Sequence, residues 1–104
     1  MTTIAFSTDD VIAVYAFTYF SHRQVGAMLR IANHITGRSL TSGEFCDLHQ
    51  QIAQAIERQH PFIADLDIPQ PGKDTYNTFT INAWMSVTTD RYGDYLDIAQ
   101  EPLP

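Results

Sequence analysis

Thr41-Ser-Gly-Glu44 is a capping box, and it opens the stretch of this chain with the least conformational freedom. In such a box the Thr hydroxyl accepts from the backbone N–H three residues on. The Glu carboxylate reaches back to the Thr N–H. Phe45, Leu48, Ile52, Ala55 and Ile56 follow at helical spacing and form one apolar face. His60-Pro61 closes the stretch, because a residue before proline avoids helical geometry. A helix over about Gly43 to Gln59 is therefore predicted, with an apolar face that the rest of the chain must cover.

Other segments offer the cover. Ser7 is a candidate cap for a first helix, and Asp9 and Asp10 suit the positive end of its dipole. Ala13, Ala16, Phe17 and Phe20 would line one face of that helix, and Val11, Val14 and Tyr15 a second, so it should be largely buried. The run Val11 to Phe20 is also rich in β-branched and aromatic residues, which keeps a strand open as the alternative. A second helix is read from Ser21, with Val25, Met28, Leu29, Ala32 and Ile35 as its stripe and Gly37 as its left-handed terminator. Arg23 and Arg30 lie two turns apart on it. Residues 61–77 form the loosest segment, with a turn at Pro69-Gln-Pro-Gly72. Phe62, Ile63, Leu66 and Ile68 pin it to the core. A fourth helix spans about Thr78 to Tyr92, with Ile81, Trp84, Met85 and Thr88 on one face and Gly93 at its end.

The chain ends read as strands. Residues 3–6 are short, apolar and partly β-branched. Tyr95-Leu-Asp-Ile-Ala99 alternates, with Leu96 and Ile98 on one side. The fold class expected is α+β: about four helices in a compact bundle, with two short terminal strands pairing. Its 104 residues suit a single domain, 1–104.

Composition limits the function. Apolar residues make up 44% of the chain, enough for a core without disulfides. Six basic residues face twelve acids, for a net charge of -6. A nucleic-acid binder must neutralise phosphates, so direct DNA or RNA binding is disfavoured, and so is an anionic membrane. No apolar run approaches the roughly 20 residues of a membrane span. The N-terminus has neither the basic start nor the apolar core of a signal peptide. The single Cys46 points to a reducing compartment, and a cytoplasmic protein is expected.

Cys46 and His49, three residues apart, would share one helical turn and are the most tempting chemical pair. Zinc needs three or four protein ligands, and His22, His34 or His60 would have to complete the set. A nucleophilic cysteine needs a base and a group that orients the base. Neither context surrounds Cys46, which reads as a small packed helix residue. His34 and His60, near helix C-termini, read as partners of the last carbonyls. Asp65 and Asp67 flank Leu66 and would hold a cation only with further oxygen donors. No phosphate loop, nucleophile elbow or HExxH occurs, so no catalytic, cofactor or metal residues are assigned and no enzyme is expected.

The charge is uneven. From Pro61 onward, seven acids face only Lys73 and Arg91, and Tyr76, Tyr92 and Tyr95 lie in the same half. Such a face serves solubility, and it also suits docking on a basic partner. Asp65, Asp67, Asp90, Asp94, Tyr95 and Asp97 are the candidate protein-interaction residues.

Three segments carry a resemblance. Ser7-Thr-Asp-Asp-Val11, Ile35-Thr-Gly-Arg-Ser-Leu40 and Gln59-His-Pro-Phe-Ile-Ala-Asp65 resemble the opening, the threonine-glycine turn and the histidine-proline segment of small tailed-phage and prophage proteins. Trp84, then Arg91-Tyr-Gly93 and a closing strand, agree in order. The chain departs from that group in its long aromatic first helix and at Pro69–Asn77. The resemblance implies a phage-encoded accessory role and supplies no functional residues. The function expected is an inhibitor that binds a host protein, with a nucleic-acid-handling defence complex as target class, in the manner of an anti-CRISPR protein. A virion assembly component, with a homodimer or larger self-interface, is the first alternative. A small metal- or thiol-dependent enzyme is the second.

Overall fold

A computed structural model describes residues 3–17, 24–69 and 78–102. The elements are β1 (Thr3–Ser7), α1 (Thr8–Ala16), α2 (Gln24–Thr36), α3 (Ser42–Gln59), a 3-10 turn (Pro61–Asp65), α4 (Thr78–Tyr92) and β2 (Tyr95–Ala99). This is the expected α+β arrangement. Ser21 and Arg23 of the expected second helix, and Gln70, Pro71 and Gly72 of the expected turn, lie outside the described residues. No described helix is long and apolar enough to cross a membrane.

The two strands pair antiparallel, from Thr3 with Ala99 to Ser7 with Tyr95. Alternation puts Leu96 and Ile98 inward, 5% and 0% exposed, while Tyr95 and Asp97 face out. Helix α1 lies at the centre, and Val11, Ile12, Ala13 and Val14 are fully buried. A helix apolar all round belongs in such a place. From Val11 to Ala16 the aromatic run is thus helix, while residues 18–20, with Phe20 of the expected face, lie outside the described residues. Phe17 adopts a left-handed conformation, φ 56°, and ends it. A neighbour explains this end: His49 of α3 donates from Nε2 to the Val14 carbonyl at 2.8 Å, and its ring packs tilted against Phe17 with centroids 4.2 Å apart.

Ser7 makes no side-chain cap on α1, because it is still paired in β1. Its neighbour Thr8 is fully buried and ties the helix start to the α4–β2 junction. Thr8 Oγ1 donates to the Gly93 carbonyl at 2.7 Å, and its N–H donates to Asp94 O at 2.9 Å. Thr8→Val keeps the shape and removes the hydroxyl, leaving a carbonyl short of a donor. Its expected cost is about 1–3 kcal/mol in denaturant unfolding. A cost near zero would show that this bond does not hold the junction.

The α2 stripe is rotated from the one expected. Val25 is 51% exposed, and Gln24, Ala27 and Ile31 join Met28, Ala32 and Ile35 inside. Gly37 and Gly93 take positive φ at the helix ends, as predicted. The Thr41–Glu44 box is formed in both directions. Those hydrogen bonds from Thr41 hold the Glu44 carboxyl below its ordinary range. Phe45, Ile52, Ala55 and Ile56 are buried, with Leu48 packed against the same core. Ile63 of the 3-10 turn is buried, and Phe62, Leu66 and Ile68 pack against the core, so this segment is pinned as expected. Phe62 stacks on Tyr92, with centroids 3.9 Å apart.

Candidate functional site

The histidines expected at helix ends act on a different partner. His34 Nε2 donates to Ile98 O and His60 Nε2 to Asp97 O, each at 2.7 Å. A carbonyl only accepts, so each ring carries its proton on Nε2. Gln59 adds two bonds to Ala99, accepting from its N–H at 2.8 Å and donating to its carbonyl at 3.1 Å. By strand alternation Asp97 and Ala99 turn their backbone groups away from β1 while Ile98 turns its carbonyl toward it, so His60 and Gln59, but not His34, meet groups of β2 that lack a second strand. They close an edge that would otherwise pair with another chain. Beside them Arg58 and Glu101 form an ion pair.

Strand β2 is therefore fixed from behind and along its edge, with its outer face left to solvent. Tyr95 is 66% exposed there, and Asp97 is exposed on the same side. Ser7 and Ala5, opposite them on β1, carry no charge. Asp94 sits at the bend before the strand, and Asp90 lies on the last turn of α4; both are exposed. Asp90, Asp94, Tyr95 and Asp97 thus occupy one corner of the fold.

A cleft of about 410 Å³ opens at that corner between the β1–α1 junction and α4. Asp94 and Tyr95 line it with Asp9 and with Asn82, Ser86 and Thr89 of α4. Asp9 is the residue that the sequence reading assigned only to the helix dipole. Its Oδ1 accepts from the Asp10 N–H at 2.9 Å, which fits that role as well. Asp65 and Asp67 are exposed at the end of the 3-10 turn and just after it. The Phe62–Tyr92 stack holds the turn beside α4, but neither aspartate lines the cleft. Among the described residues, none of the exposed aspartates Asp65, Asp67, Asp90, Asp94 and Asp97 forms an ion pair.

Cys46 and His49, on one turn of α3, sit in different settings. Cys46 is exposed, not packed inside as the sequence suggested, because α3 turns Phe45 inward and leaves the next residue outside. It borders an apolar hollow of about 230 Å³ with Phe17, Val25, Met28 and Leu29. His49 is committed through Nε2 to Val14 O, so its imidazole serves as a cap for α1. Among the described residues, no group of three or more His, Cys, Asp or Glu side chains is placed to hold a metal ion. Tyr15, whose hydroxyl donates to Glu57 at 3.1 Å, has its pKa raised by burial first and by that carboxylate second. No family model matches the chain, and no curated protein or solved structure matches it significantly.

Proposed function

We infer that this chain works by binding: its acidic corner docks on a basic surface of another protein and blocks it. The observation that carries the reading is the set of exposed aspartates Asp65, Asp67, Asp90, Asp94 and Asp97, none in an ion pair among the described residues, with Asp94 next to the exposed Tyr95 and Asp97 on the same face of its strand. Unpaired surface carboxylates raise the on-rate for a basic partner and penalise an acidic one. A tyrosine with an apolar body and a polar tip suits the centre of such a contact. Asp94, Tyr95 and Asp97 are the central contacts, with Asp90 and Asp9 around them. Asp65 and Asp67 form an outlying part. The resemblance to small tailed-phage proteins supports a phage-encoded inhibitor acting in the host cytoplasm. A basic surface that normally holds a phosphate backbone, as in a nucleic-acid-handling defence complex, is the target class that fits this charge.

Immobilised protein, exposed to host lysate and eluted with rising salt, tests the reading. The expected result is one stoichiometric partner, identified by mass spectrometry and released as salt screens the contact. Absence of any stable partner, or one that high salt leaves bound, would contradict it.

A further inference from the structure

Strand β1 has one edge on β2 and one edge open. The hydrogen bonds around the sheet fix which groups face outward. Thr8 N–H donates to Asp94 O just past the last pair of the ladder, and Gln59 and His60 meet Ala99 and Asp97 from the side away from β1. Alternation then makes Ile4–Ile98 and Phe6–Leu96 the hydrogen-bonded pairs. Thr3, Ala5 and Ser7, opposite Ala99, Asp97 and Tyr95, turn their N–H and carbonyl groups away from β2. Among the described residues, no hydrogen bond reaches these outward groups. Side chains of α3 and its C-cap close the far edge of β2. The open edge of β1 has no such cover among the described residues, and the strand carries no charge or proline to discourage pairing.

We propose that the open edge of β1 takes an extended, basic segment of the partner protein as a third strand of the sheet. This rests on the reading of the acidic corner as a docking site, and it gives the docking element its form. Backbone bonds to Ala5 and Ser7 hold the segment, and alternate side chains select it. On the inner face, Ile4 is 42% exposed although its pair Ile98 is fully buried, so an apolar side chain of the added strand finds apolar surface beside it. On the outer face, β1 presents only Thr3, Ala5 and Ser7, small and uncharged, in front of Tyr95 and Asp97. Two strand spacings are about 10 Å. A lysine or arginine of the added strand, lying across Ala5, spans that distance to the Asp97 carboxylate. Ser7 also forms a wall of the acidic cleft, so a segment paired along the edge passes Asp9 and Asp94. An acidic strand is repelled there, and a second copy offers only the uncharged run Thr3–Ser7.

Two substitutions at Ala5 probe the edge. Ala5 is exposed and its N–H points outward, so proline there removes a docking bond and no bond of the β1–β2 pair. Ala5→Lys keeps the N–H but sets a cation in front of Asp97, where the basic strand seeks the carboxylate. Neither substitution changes the aspartates themselves.

A library of random linear peptides displayed on yeast, selected on the immobilised full chain at low salt, supplies the probe. The expected selected sequences alternate Lys or Arg with apolar residues and are released as salt rises. A synthetic copy of the strongest should bind Ala5→Pro and Ala5→Lys at least about tenfold more weakly than wild type, with unfolding midpoints unchanged. Should proline itself lower the midpoint, Ala5→Lys carries the comparison. On binding, the Ala5 and Ser7 amides should slow in hydrogen exchange, while those of Ile4 and Phe6 are slow with and without peptide. A library that yields no binder overturns the proposal. So does a peptide that binds both variants like wild type, or one that leaves the Ala5 and Ser7 amides fast. Self-association that Ala5→Pro abolishes would assign the edge to a second copy and overturn it too. A lysate partner that salt releases, yet that binds both Ala5 variants fully, overturns this inference alone. Selected peptides without basic residues overturn the acidic reading with it.

Discussion

Truncating Ile31 to alanine is expected to destabilise the protein by about 2–5 kcal/mol. The side chain is completely buried in the core that joins α1, α2 and α3. Its removal loses both the transfer free energy of the deleted methyl groups and the contacts across the space they leave. A domain of this size is stable by about 5–15 kcal/mol, so the loss is a large part of the whole. The control is Val25→Ala, one of the positions that periodicity alone would have placed inside. At 51% exposure, it should change stability by no more than about 0.5 kcal/mol. Paired urea titrations read both. Equal losses, or a larger one at Val25, would mean that α2 is rotated from the face described.

Reversing Asp94 and Asp97 to lysine together should lower affinity for the partner by about 100-fold at moderate salt. Each substitution removes a favourable pairing and puts a like charge against a basic surface. Both side chains are exposed, so folding stability should stay within about 0.5 kcal/mol per site. An unchanged unfolding midpoint therefore separates lost binding from lost structure. Conversely, reversal at Asp65 and Asp67, on and after the 3-10 turn and away from β2 in sequence, should weaken binding only slightly.

Much of the fold was written in local chemistry. The Thr41–Glu44 box and the His60-Pro61 break bound α3, and strict alternation in Tyr95–Ala99 announced a strand with Leu96 and Ile98 inward. Those signals depend on neighbours in sequence, so sequence carries them. What it could not carry were ends and faces decided by distant groups. Phe17 terminates α1 against His49, thirty-two residues away. His34 and His60 bond to β2 instead of their own helices, His60 at the edge of that strand that no second strand covers. The acidic corner was half legible. Asp94, Tyr95 and Asp97 were evident as candidates, but Asp9 joins them only once the chain ends pair.

The central proposal is an acidic corner, without ion pairs among the described residues, that engages a basic surface. Its most direct test is the dissociation constant of the captured partner, measured by titration calorimetry over a series of salt concentrations, for the wild type and for Asp94→Lys/Asp97→Lys. The account predicts wild-type binding that weakens steadily as salt rises, and a variant that binds poorly throughout with little salt dependence. Equal affinities for the two proteins, with the same flat response to salt, would contradict it.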